Sequence, residues 1–250
     1  MPVAERRGSE LIHSFLALRK AVGWIAVALP FVLVALHRGP SLDSISQAYY
    51  RDVNALFVGF LCAIGVFLLF YRGYDGRDRI ASFIAGACAI VVSQVPCGSG
   101  CRAPALAVPA LWQWQDAYPG VLTGVHFGAA ALMFLALACF CFFLFPETDK
   151  PRGYEGHRKI LRNRIYRACG TVIVVALAVK ALDALVEHSR GTGFLWTVGT
   201  FCVEATMIVA FGISWAVKGE SFPPLNDREG RAGASERAPA RPEPGSPHLH

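Results

Sequence analysis

Six long apolar runs, at 21–36, 53–71, 80–95, 121–145, 165–186 and 194–217, are divided by short connections that hold most of the basic residues. A bilayer core of about 30 Å takes roughly 20 apolar residues of helix to cross. The first and third runs are short for this and the fourth is long. Lipid offers backbone N–H and C=O groups no partner, so such runs must fold as helices. The alternating polarity of a barrel strand, over about ten residues, is absent. The expected fold class is therefore all-α, a polytopic membrane protein built as a six-helix transmembrane bundle.

Composition narrows the function classes. Of 250 residues, 54% are apolar and 17% charged, against about 45–50% and 25% in soluble domains. The mean hydropathy is +0.42. A disordered chain and a basic nucleic-acid-binding domain are excluded, so no nucleic-acid partner is expected, and a soluble enzyme is disfavoured. The net charge of +6 reflects topology. Nineteen Lys and Arg residues fall in the N-terminal, second, fourth and C-terminal connections. Four, namely Arg38, Arg51, Arg102 and Arg190, fall on the other side, and Lys180 lies within a run. By the positive-inside rule both termini face the cytoplasm. Trp112, Trp114, Tyr118 and Trp196 then mark the outer interface, and Tyr71, Tyr74, Tyr166 and Trp215 the inner one. The expected site is a bacterial cytoplasmic (inner) membrane.

Three regions follow: a cytoplasmic segment at 1–20, a transmembrane domain at 21–220 and a cytoplasmic tail at 221–250. The tail is rich in Pro, Gly and Ser and cannot bury enough apolar surface to order itself. No A-x-A site follows the first run, so it reads as a retained span and not a cleaved signal. Six cysteines, Cys62, Cys88, Cys139, Cys141, Cys169 and Cys202, act as small apolar residues. Cys97 and Cys101 flank Gly98-Ser99-Gly100 in an outer loop, where an oxidising compartment permits a disulfide; two reduced thiols are the alternative. Two stripes of small residues, Ala81, Ala85, Ala89, Ser93 and Gly120, Gly124, Gly128, let helix backbones approach closely. Packing within the chain is the simpler reading, and a homo-oligomer is the sharper one.

Ionisable residues inside spans cost at least about 2.5–3.5 kcal/mol each and raise a functional question. Lys180 and Asp183 lie in the fifth run and Glu204 in the sixth. Lys180 sits about 20 Å beyond Arg167, and Glu204 about 15 Å beyond Phe194 from the opposite direction, at 1.5 Å per residue. Both therefore lie in the outer half at similar depth, on consecutive helices. Asp52, Asn54, Gln94 and His126 share that depth. Together the seven are candidates to line an outward-facing polar cavity that binds a small or lipid-like ligand. A pair that merely locks the helices, Lys180–Glu204 or Lys180–Asp183, is the competing reading. A zinc set of His126, Asp52 and Glu204 lacks any HxxxH spacing, so neither metal nor cofactor is expected. A Ser-His-Asp set drawn from Ser93 or Ser46 with His126 and Asp52 lacks a nucleophile elbow. The loop 44–52 is dense in hydrogen-bonding groups and is expected to cap the bundle.

One set of motifs runs Ser44-Ile45-Ser46, Tyr49-Tyr50-Arg51-Asp52-Val53, Phe57-Val58-Gly59 and Tyr71-Arg72-Gly73-Tyr74. It continues with Arg162-Asn163-Arg164-Ile165-Tyr166-Arg167 and ends with Phe211-Gly212-Ile213-Ser214-Trp215-Ala216-Val217-Lys218-Gly219-Glu220. Across 40–220 this pattern resembles uncharacterised bacterial multi-pass proteins, of the DUF998-like or FRAG1/DRAM/SFK1-like six-span kind. That resemblance implies a fold and no reaction. Alkaline-ceramidase-like hydrolases would need seven spans and an HxxxH pair, which this chain lacks. The expected role is non-enzymatic, binding or moving a ligand with membrane lipids as partners. A lipid-modifying enzyme and a helix-packing scaffold are the rivals.

The charge asymmetry makes a direct prediction. Cysteines introduced at Gly76 and Glu155 should react with an impermeant maleimide from the cytoplasmic face, and one at Ser189 from outside. Labelling at Ser189 from the cytoplasm would overturn the topology.

Overall fold

The computed structural model describes residues 3–71, 73, 75–95, 97, 118–147, 157–195 and 197–226. Among them there is no strand, and six long helices run in order. These are α1 (Val3–Leu36), α2 (Asn54–Phe70), α3 (Gly76–Gln94), α4 (Pro119–Cys139), α5 (His157–Arg190) and α6 (Thr197–Lys218). A 3₁₀ turn, Ser46–Tyr50, lies between α1 and α2, and α4 runs on through a π turn, Phe140–Leu144. Four segments are long and apolar enough to cross a membrane: Leu16–Leu36, Gly120–Leu144, His157–Arg190 and Gly199–Lys218. The chain is thus an all-α protein of membrane-spanning type. The apolar α2 has 17 residues, a rise of about 25 Å. The 19 residues of α3 open with Arg77, Asp78 and Arg79, which shortens its apolar part.

Local chemistry sets the start of α3. The Asp75 carboxylate accepts the amides of Arg77 (2.9 Å) and Asp78 (3.2 Å), while Asp78 reaches back to the Asp75 amide (3.3 Å). This is a reciprocal capping box. Those amide donors, with Arg77, hold the Asp75 carboxyl below its usual value.

Consecutive helices pack on one another, and α6 returns to α1, closing a ring. Glycines permit close approach of the helix backbones at two seams. A Cβ on Gly212 would stand 2.7 Å from the Gly23 carbonyl oxygen and 2.8 Å from the Val27 nitrogen. A Cβ on Gly86 would stand 2.7 Å from the Gly65 oxygen. Ala85, Ala89 and Ser93 of α3 are fully buried. The other stripe behaves differently: Gly120, Gly124 and Gly128 have open space where a Cβ would lie. Among the described residues nothing packs against these three positions.

One end of the ring is filled. Trp215 of α6 meets the rings of Tyr71, Phe140, Phe145 and Phe211 at centroid distances of 5.2, 5.2, 5.1 and 5.4 Å. The Arg19 guanidinium of α1 donates to the Tyr71 hydroxyl at 2.8 Å and lies over its ring. The Lys218 ammonium donates to the Phe145 carbonyl at 3.0 Å. Arg162 donates to the Leu225 carbonyl at 2.6 Å, and Arg158 to that of Asn226, so α5 grips the segment after α6. The motifs around Tyr71, Arg162 and Trp215 thus belong to one end of the bundle.

Overpacking at a tight backbone contact costs about 1–3 kcal/mol. Gly212→Ala should therefore lower the thermal midpoint in detergent. Gly128→Ala, in open space and with roughly 1 kcal/mol of helix propensity gained, should leave it unchanged or raise it. Equal effects of the two would contradict the packing at Gly23–Gly212.

Candidate functional site

At the other end the ring holds a partly open cavity of about 320 Å³. Its walls are apolar, with Phe57 and Leu61 from α2, Val92 from α3, Phe134 from α4 and Met207 from α6. Its polar groups are Ser46, His126, Lys180, Asp183, Glu187 and Glu204. A second, wider groove between α1, α5 and α6 is lined almost wholly by apolar groups. Its Thr206 hydroxyl donates to the Cys202 carbonyl at 2.7 Å. A ligand site needs a few placed polar groups to orient its occupant, and the first cavity has them.

Glu204 is central to that end. Its Oε1 lies 3.5 Å from Lys180 Nζ. Its Oε2 accepts the Ile45 amide at 2.8 Å. One carboxylate therefore joins α5, α6 and the entry to the 3₁₀ turn. The side chains of Lys180 and Glu204 are 23% and 12% exposed, which places the pair between a surface and a fully buried bridge. Asp183, three residues from Lys180, does not take the ammonium. Its Oδ1 accepts the amides of Phe194 (2.7 Å) and Leu195 (2.8 Å). It is 7% exposed and fixes the connection from α5 to α6.

His126 is buried to 1% exposure, with Nδ1 2.6 Å from the Val95 carbonyl and Nε2 3.1 Å from Ser46 Oγ. Val95 is the C-cap of α3. The last four carbonyls of a helix have no partner inside it, which leaves carbonyls at this end to bind side chains.

Of the seven residues expected to line a cavity, the structure brings four together: His126, Lys180, Asp183 and Glu204. The other three hold the capping loop. Asp52 binds His37, and its Oδ2 accepts the Arg38 amide at 3.0 Å. The bond from His37 holds the Asp52 carboxyl below its usual value. Asn54 donates to the Tyr49 carbonyl. Gln94 donates to Ser93 Oγ at 3.1 Å, while its own carbonyl accepts the Tyr49 hydroxyl at 3.3 Å. Gln47, Ala48, Tyr49 and Tyr50 are buried, so the loop does cap the bundle. Ser46 and Glu187 are cavity residues outside the expected seven. Glu187 carries a legible signal, because Lys180, Asp183 and Glu187 recur at i, i+3 and i+7 on one helix face.

Three carboxyl groups and one ammonium thus line the cavity, so its polar end has an acidic surplus. Asp52 is absent from the cavity lining, which separates it from His126 and Glu204. No group of three His, Cys, Asp or Glu side chains among the described residues is placed to hold a metal ion. Cys97 is buried; its expected bridge partner Cys101 lies outside the described residues, as does most of the tail.

No family model matches the chain, and no match was found among curated proteins or solved structures. What the site can do rests on its own groups.

Breaking a buried pair typically costs about 3–5 kcal/mol, and the partial exposure of Lys180 lowers that. Glu204→Gln keeps an acceptor for the Ile45 amide and removes only the charge. Lys180→Met and Glu204→Gln should each lower the thermal midpoint in detergent, and the double variant should regain part of the loss. The cycle isolates the coupling; strictly additive losses would mean the pair contributes none.

Proposed function

We propose that the chain is a six-span protein of a bacterial cytoplasmic membrane, with both termini in the cytoplasm. Its cavity then lies in the outer half of the bilayer and binds a small or lipid-like amphiphile, for storage or passage. The Lys/Arg asymmetry supports the orientation. The motif resemblance to six-span proteins supports the count, with α2 and α3 tilted little because they are short.

One observation carries the ligand reading. An apolar cavity of about 320 Å³ ends in a cluster of titratable side chains. That volume falls at the lower end of ligand sites, roughly 300–1,000 Å³, and suits a single alkyl chain. The carboxyl surplus of Asp183, Glu187 and Glu204 over Lys180 favours an uncharged or cationic headgroup over an anionic one. Gly120, Gly124 and Gly128, facing open space, favour a second reading in which two copies pack along α4.

The test uses the purified full chain in detergent and a dansyl-labelled dodecylamine. Its emission should shift to the blue and saturate with protein. Ala130→Trp, which fills the cavity wall, should weaken binding at least about tenfold, or 1.4 kcal/mol. A dansyl fatty acid should bind more weakly than the amine, and Lys180→Met should widen that gap. Undiminished binding by Ala130→Trp would place the ligand elsewhere.

A further inference from the structure

The geometry points to Ser46 as a nucleophile, with His126 as its general base, acting on an acyl ester held in the cavity. This deepens the ligand reading above and rests on it: the bound amphiphile becomes a long-chain ester of an uncharged alcohol.

The hydrogen-bond pattern leaves little freedom. The Val95 carbonyl can only accept, so the proton on His126 facing it must sit on Nδ1. In the neutral ring Nε2 is then the acceptor, and the hydroxyl of Ser46, 3.1 Å away, donates to it. That is the direction in which a base draws a proton from a nucleophile, at the heavy-atom distance such transfer needs, about 2.6–3.2 Å. The base is itself oriented by a third group, the Val95 carbonyl, as this arrangement requires. Both residues face the same apolar cavity, where an acyl chain has Phe57, Leu61 and Phe134 to pack on. Glu204, which accepts the Ile45 amide, holds the residue preceding Ser46 and also the Lys180 ammonium. The Lys180 ammonium lines the same cavity.

In the proposed reaction, Ser46 Oγ bonds to the ester carbonyl carbon as its proton passes to His126 Nε2. The carbonyl electron pair moves onto oxygen. Collapse breaks the bond to the alcohol oxygen, which takes the proton from His126 and leaves. Water then adds to the acyl-serine ester, again giving a proton to His126. A free carboxylic acid departs, and the proton returns to Ser46. A neutral carbonyl orients His126 but does not stabilise its cationic form as a carboxylate does, so turnover should be slow.

The purified full chain in detergent is treated with a dodecyl fluorophosphonate and digested for mass spectrometry. One adduct per chain, on the peptide holding Ser46, is expected. Ser46→Ala should abolish it, and His126→Asn should slow its formation by about 10²–10⁴-fold, the usual contribution of a general base. An adduct elsewhere, or none in the unmodified chain, overturns the proposal without recourse to variants. The dansyl-dodecylamine titration of the same sample separates the two readings. Saturable binding without an adduct removes the nucleophile and keeps the cavity; loss of both removes the ligand site itself.

Discussion

The carboxylate of Glu204 organises the hollow end of this protein. One oxygen takes the Ile45 amide and the other faces the Lys180 ammonium. Inside an apolar bundle, an amide or a charge left alone costs free energy comparable to a lost hydrogen bond or more. Both groups are answered by one side chain on α6. The chain entering the 3₁₀ turn can then lie across the bundle end, and α5 is tied to α6 at the same depth. The buried run from Gln47 to Tyr50, and the wall that Ser46 contributes, depend on that anchor.

The two ends of the ring solve the same packing problem in opposite ways. Around Trp215 the space is taken up by aromatic rings whose centroids lie 5.1–5.4 Å from that of Trp215, and Arg19 and Lys218 donate there to a phenol and a carbonyl. At the other end, small side chains such as Ala130 and Ala184 line the void, and the polar groups gather beside it. Filled cores favour stability and empty ones forfeit contacts. A cavity held open by a satisfied polar frame is what ligand recognition requires, because its rigidity removes part of the ordering cost of binding.

Much of the helical layout is legible in the residues, since long apolar runs leave the backbone no other way to pair its hydrogen bonds. The meeting of Lys180 and Glu204 is legible too, because depth follows from counting residues at a fixed rise. Asp52, Asn54 and Gln94 share that depth yet serve the loop; depth says nothing of azimuth or of which backbone groups a turn leaves open. The glycines of α4 illustrate the same gap. A four-residue spacing identifies a stripe, but only the neighbours decide whether it faces inward. His126 and Ser46, 80 positions apart, meet through the path of a loop that has no periodicity to read.

The glycine contact between α1 and α6 also orders the protein's birth. The surface that Gly23 offers is matched by Gly212, about 190 residues later, and at roughly 5–20 residues per second synthesis takes about 10–40 s to supply it. Throughout that interval α1 has α2 on one flank and a narrow, unfilled backbone groove on the other. Closure of the ring therefore waits for α6, the last of the six long described helices to be synthesised.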